Sequence, residues 1–309
     1  MSSRDHQGMA QGPGPTPRSG PFRMAEAIFG LTLCGALMLL GCSAPAHPGE
    51  LKKAELLEKR GALKGALEMY TRLAEKGKKQ PYRLLARFRA ARVLHAMGRP
   101  KDALVVYEDV ARRVAQGAER KRTSQRLHRL AARALYRAGC LAYDELAPEA
   151  QRAGGTSSAF EWKKKALIYW WSAMDEHPDA VAADEALVRV VRHNRAQDTL
   201  RPLVKALWAT FRKHRRRDLA DNLLWELGKI YDEDFKAPKH AVEIFVKLAQ
   251  RKPIGPLTDD AMWRAAKVFR RVGRPDKALV WLARLLKTKK DSWIVGSFAS
   301  VYADDAQLE

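Results

Sequence analysis

From about residue 50 onward, apolar residues recur three and four positions apart, the spacing that keeps one face of an α-helix dry. The periodic stretches come in related copies. Residues 86–107, ARFRAARVLHAMGRPKDALVVY, and 261–282, AMWRAAKVFRRVGRPDKALVWL, are identical at 11 of 22 positions across a separation of 175 residues. Each copy reads as helix, Gly-Arg-Pro turn, helix. Gly98 or Gly273 ends the first helix and Pro100 or Pro275 opens the second. The second helix carries the most regular pattern. Ala166, Trp170, Ala173 and Pro178 follow steps of 4, 3 and 5, and Ala241, Phe245, Leu248 and Pro253 repeat them. Ala66-Tyr70-Leu73, Ala103-Tyr107-Val110 and Ala278-Leu282-Leu285 follow the same spacing without the proline. A methyl at the first position lets a neighbouring helix approach closely beside the large residue that follows.

These residues resemble the tetratricopeptide repeat (TPR), a helix-turn-helix unit. Leu224, Leu227-Gly228 and Tyr231 also sit at the spacing of that family's first-helix signature. The third position of the second helix departs from the family, being small only at Ala173. The resemblance implies an all-α, TPR-like helix-turn-helix solenoid over 50–309, with about six repeats plus a terminal helix. The units fall at about 50–79, 82–116, 126–179, 180–216, 217–255 and 257–292. The third carries an insertion at 144–160, in which Gly154 to Ser158 reads as a mobile loop. The fourth has a degenerate second helix around Leu203 and Leu207. A seventh unit begins at Phe298 and stops after one helix.

The N-terminal segment follows a different pattern. Residues 27–40, AIFGLTLCGALMLL, are uncharged and about 21 Å long as a helix, short of the roughly 30 Å of a bilayer core. The length suits the apolar part of a signal peptide, with Arg4, Arg18 and Arg23 upstream. It ends in Leu39-Leu40-Gly41-Cys42, followed by Ser43. This resembles the bacterial lipoprotein signal, which implies removal of 1–41, lipidation of Cys42, and a linker at 42–49. Ser43, in place of Asp, implies the outer rather than the inner membrane in that family's logic. The expected location is the periplasmic face of the outer membrane.

The chain's 57 Lys+Arg against 35 Asp+Glu give a formal charge of +22. The basic residues gather in short runs that the pattern places where second helices end. These are Lys76, Lys78 and Lys79; Arg112 and Arg113; Arg215, Arg216 and Arg217; Arg251 and Lys252; Lys287, Lys289 and Lys290. A helix C-terminus attracts one or two cations, but it does not account for Arg212 to Arg217. Second helices of a solenoid all point the same way, so the runs predict a basic edge suited to an anionic envelope surface, such as phospholipid or lipopolysaccharide head groups, or to acidic partner proteins.

Catalytic motifs are missing: there is no Cys-x-x-Cys, His-Glu-x-x-His, P-loop or GxGxxG. The eight histidines are scattered singly, and Cys140 reads as a small buried hydrophobe. Seven of the eight tryptophans lie in predicted helices and Trp293 in the last junction; one or two would line a groove. Three cysteines are too few for a disulfide framework. The expected protein is a non-enzyme without metal or cofactor. Stacked helix pairs expose a long concave surface suited to peptides or helices. The phrase HPDAVAADEAL (177–187) is similar to junctions in the repeat lipoprotein of the outer-membrane β-barrel assembly machinery, which implies a scaffold binding envelope proteins during assembly. The alternative is a peptidoglycan-binding or positioning module, resembling the non-catalytic helical repeats of lytic transglycosylases. Export argues against nucleic acid as a partner.

Overall fold

The structure is a computed structural model that describes residues 48–77, 80–119, 124–252 and 254–295. Cys42 and the signal segment, Lys78, Lys79 and the helix expected from Phe298 lie outside the described residues. Those residues contain thirteen α-helices and no strand. The helices form six consecutive hairpins. The first two are α1 (Pro48–Lys59) with α2 (Leu63–Lys76), and α3 (Gln80–Ala96) with α4 (Pro100–Glu119). In the third, α5 (Gln125–Cys140) is joined through a short α6 (Ala147–Arg152) to α7 (Thr156–Glu176). The last three are α8 (Val181–Ala196) with α9 (Leu200–His214), α10 (Leu219–Lys229) with α11 (Pro238–Ala249), and α12 (Thr258–Arg271) with α13 (Pro275–Val295). The architecture is an all-α, TPR-like stack.

Each hairpin turns at one residue with left-handed backbone. Gly61, Gly98, Gly154 and Gly273 hold φ of 73–79° there. Asp198 and Lys236 take the same role with φ of 54° and 51°. Glycine adopts this region freely, whereas a Cβ costs about 1–2 kcal/mol. Lys236→Gly is therefore expected to raise stability by about 0.5–1 kcal/mol, the strain relieved exceeding glycine's extra unfolded-state entropy. Denaturant titration measures it, and a destabilised variant would contradict the turn assignment.

The alanines of the second helices are the points of closest approach. Ala66, Ala103, Ala166 and Ala241 have no exposed surface, and Tyr70, Tyr107, Trp170 and Phe245 beside them are sealed in the core. The first helices answer with small residues. A Cβ on Gly139 would overlap the Trp170 indole, and one on Gly228 would sit 2.6 Å from the Phe245 ring. Directly after these glycines the helices widen into π-helical turns, Leu141–Leu146 and Ile230–Asp234. Such turns insert an extra residue and re-aim the side chains that follow.

The structure corrects several expectations. The insertion is not a mobile loop: its first part continues the π turn into α6, and residues from Thr156 on are the opening turns of α7. Only the turn at Ala153–Gly155 separates them. The second helix of the fourth unit, whose pattern departs from the alanine-first copies, still forms a regular helix with Leu203, Leu207 and Phe211 buried. Arg112 and Arg113 do not end a helix, because α4 runs on to Glu119, and neither do Lys287, Lys289 and Lys290, because α13 runs on to Val295. Trp293 falls within α13, not in a junction. α1 starts at Pro48, inside the stretch read as linker. Among the described residues no helix is long and apolar enough to cross a membrane.

Candidate functional site

The first helices of successive units lie side by side, and their C-terminal halves are laced by ion pairs. Glu58 of α1 meets Arg92 of α3 at 2.9 Å, and His95 of α3 lies 2.6 Å from Glu145 in the first π turn. Asp144 in that turn pairs with Arg189 of α8 at 3.0 Å. Arg195 of α8 holds Asp234 of the second π turn at 2.7 Å. Glu233 and Asp232 in that turn are met by Arg264 and Arg271 of α12. The π turns thus supply the acids that neutralise arginines of the neighbouring first helices.

The predicted basic runs are also partly self-neutralised. Arg217 pairs with Asp179 at 2.9 Å. Arg251 binds the Asp221 carboxylate and donates to the Arg215 carbonyl at 2.9 Å, which joins the ends of α9 and α11. Arg112 and Arg113 fold back on Asp109, which Arg87 also reaches at 3.0 Å. Arg215, Arg216, Lys252 and Lys287 are exposed. The side chains of Lys289 and Lys290 lie outside the described set. The structure therefore brings the 215–217 and 251–252 runs together and leaves Arg112 and Arg113 in mid-helix.

Among the first helices, α5 departs from this neutralisation. Arg126, Arg129, Arg133 and Arg137 of α5 are spaced 3, 4 and 4 apart, which aligns them on one face. All four are exposed. α5 itself contains no carboxylate. Among the described residues none of the four makes an ion pair, unlike the arginines of α3 and α12 that face acidic neighbours. Three of them line a groove of about 480 Å³ that crosses α3, α5 and α8. Its apolar lining comes from Tyr82 and Leu85 of α3, Leu127 and Leu130 of α5, and Val181 of α8. No acidic residue lines it.

An adjoining cleft of about 330 Å³ shares Arg129 and Ala180 with the groove and reaches Arg217 and His177. Here the structure joins two histidines read as isolated: His128 Nδ1 lies 3.1 Å from His177 Nδ1. Burial, and then the neighbouring imidazole, push His177 down to about 4. Other described histidines serve locally. His214 contacts Asp175 at 3.0 Å, His193 contacts the Tyr143 hydroxyl at 3.0 Å, and His240 stacks on Tyr231. Cys140 is half-buried, and burial pushes its thiol up, away from the reactive thiolate. No group of three or more metal-ligating side chains occurs among the described residues.

No tryptophan lines the groove. Trp170, Trp263 and Trp281 are buried, and half-buried Trp208 and Trp225 are covered by Lys247 and Arg264 at 5.3 and 5.8 Å. The arginine stripe was available to sequence reading through its 3-4-4 spacing, but it is not a consecutive run.

No protein-family model matches the chain, and no curated protein does. Solved structures of helical repeats do. A thermophilic TPR protein of Thermus thermophilus is similar at 14% identity over 84% of this chain and 98% of that one, with a TM-score of 0.30. The nearly identical TPR-like repeats of Podosopora anserina align at 16% identity over 77% and 92%, with a TM-score of 0.25. The human IFIT1 dimer with m7Gppp-AAAA aligns at 16% over 77% and 54%, with a TM-score of 0.34. These likenesses concern the repeat; no site residue is carried over from them. The assignment as a TPR-like stack rests on the chain's own six hairpins.

Proposed function

We propose that this protein is a non-enzymatic, lipid-anchored scaffold that binds other envelope proteins at the periplasmic face of the outer membrane. The observation that carries the binding role is on the first-helix face: α3, α5 and α8 lie side by side and are crossed by an open groove of about 480 Å³. Such a face suits an extended or helical segment of a partner better than a small substrate, which needs an enclosing pocket. The anchor rests on the Leu39-Leu40-Gly41-Cys42 sequence alone.

Two measurements test the two parts. Cys42→Ala is expected to abolish acyl labelling and to shift the protein out of the outer-membrane fraction. A variant that still fractionates there, fully processed, sinks the anchor. A photo-crosslinking side chain at Leu130, in the groove, is expected to capture a defined envelope protein in cells, while one at exposed Val105 of α4 is not. Capture of peptidoglycan fragments instead would favour the cell-wall module. Equal yields at both positions would remove the groove from the proposal.

A further inference from the structure

The groove across α3, α5 and α8 carries a chemical signature that the scaffold role alone does not require. Elsewhere on the first-helix face, arginines that point toward a neighbouring first helix meet carboxylates: Arg89 and Arg92 meet Glu55 and Glu58, Arg189 meets Asp144, and Arg264 meets Glu233. The stripe on α5 has no such partner within the described chain. Arg126, Arg129 and Arg133 instead border an apolar lining with no acid in it. Val181, on the opposite wall, is 72% exposed. Ser124 and the first turn of α5 open into the same groove, so the positive end of that helix dipole adds to the arginine field.

We infer that this groove is a docking site for an acidic segment of a partner protein, with carboxylates meeting Arg126, Arg129 and Arg133 and an apolar side chain seated between Leu130 and Val181. The inference names the partner chemistry of the scaffold face and rests on that reading, but not on the anchor. Guanidinium groups fit carboxylates through paired N–H donors, so a row of three at helical spacing selects spaced carboxylates rather than a single charge. The apolar lining decides between a peptide and a bilayer. Leu127 is buried and Leu85 and Leu130 are half-buried, so a flat array of lipid headgroups meets the arginines but leaves the lining wet. A peptide side chain reaches both.

The probe is a short fluorescein-labelled peptide with glutamates flanking a central leucine, titrated against the full-length detergent-solubilised protein at low and physiological salt. The glutamate peptide is expected to bind, weakening as salt screens the charges, and a glutamine counterpart to bind at least about tenfold less tightly. Arg129→Glu combined with Arg133→Glu is expected to weaken binding by at least about tenfold. Arg216→Glu, which alters an exposed arginine outside the groove, is expected to leave it within about twofold. Val181→Ser is expected to weaken the leucine peptide but not an alanine version. Circular dichroism confirms that each variant is folded. Equal binding by the groove and Arg216 variants, or no binding of the glutamate peptide at low salt, overturns the proposal. So does loss of co-sedimentation with phosphatidylglycerol vesicles in the double variant while peptide binding persists, since the stripe would then be a membrane contact. Peptide binding that survives while cellular crosslinks at Leu130 are absent refutes the scaffold reading and leaves the groove chemistry standing.

Discussion

Ala241→Arg is expected to unfold the last hairpins of the stack while Ala153→Arg leaves the protein unchanged. Ala241 opens the packed face of α11 and has no exposed surface. An arginine there must displace close-packed neighbours and bring a charge into the hydrophobic core. Overpacking and the buried charge together cost on the order of 5 kcal/mol. A typical domain has about 5–15 kcal/mol in all. Stacked repeats are stabilised by nearest-neighbour interfaces, so the damage concentrates in α10 to α13 and spreads weakly toward α1. Thermal melting should fall by about 10–20 °C or split into two transitions. Hydrogen exchange should quicken in α10 to α13 before α3 and α4. Ala153 lies exposed in the turn between α6 and α7, where a surface change stays within about 0.5 kcal/mol. Equal melting temperatures for the two variants would mean that the repeat register is misassigned.

The same alanine explains why the hairpins were legible in the sequence. Ala at the first position and a large residue four later are demanded by helix packing, so the pattern recurs wherever two helices touch closely. The turns were legible where glycine marks them, at Gly98 and Gly273, and obscured where Asp198 and Lys236 take the left-handed position instead. The insertion misled because Gly154 to Ser158 has loop composition, yet only the glycine pair is needed to turn the chain. The following Thr156, Ser157 and Ser158 simply start α7. Helix length was the least legible quantity: nothing at Arg113 or Lys287 signals that α4 and α13 continue. The candidate site divides in the same way. Consecutive basic runs drew attention to the helix ends, where Asp179 and Asp221 now hold Arg217 and Arg251. Those acids lie 38 and 30 residues upstream, so no local pattern reveals the pairing. The α5 stripe is written in period rather than in runs.

Across acid pH, His177 and Asp184 should oppose each other, and the expected signature appears only when one of them is removed. His177 is 6% exposed at the end of α7 and packs against His128. Burial first, then His128, lowers it to about 4 from the ordinary 6.5. The folded state therefore keeps it neutral while the unfolded chain takes up a proton, and stability falls as pH drops from above 6.5 toward 4. The full loss approaches about 3 kcal/mol, with about 2 kcal/mol gone by pH 5. Asp184 on α8 runs the other way. Burial first, then the charge of Asp218, raises it to about 6, although Asn222 donates a hydrogen bond to it at 2.9 Å. Its folded form takes up a proton before the unfolded one does. The stability it withholds at neutral pH is recovered as pH falls through 6 toward 3.8. Because the carboxylate keeps part of its hydration, about 1–2 kcal/mol is the fitting magnitude. The wild type should show a shallow net decline between pH 7 and 5. Asp184→Asn should be more stable at pH 7 and fall more steeply on acidification, since only the histidine remains. His177→Asn should reverse the slope and gain stability toward pH 5. Urea titrations at pH 7, 6 and 5 measure all three. The window stops above the range where paired acids such as Asp175, held low by Lys213 first and opposed by its own burial, begin to lose their charge. Parallel slopes for the two variants would show that neither group carries the pH dependence.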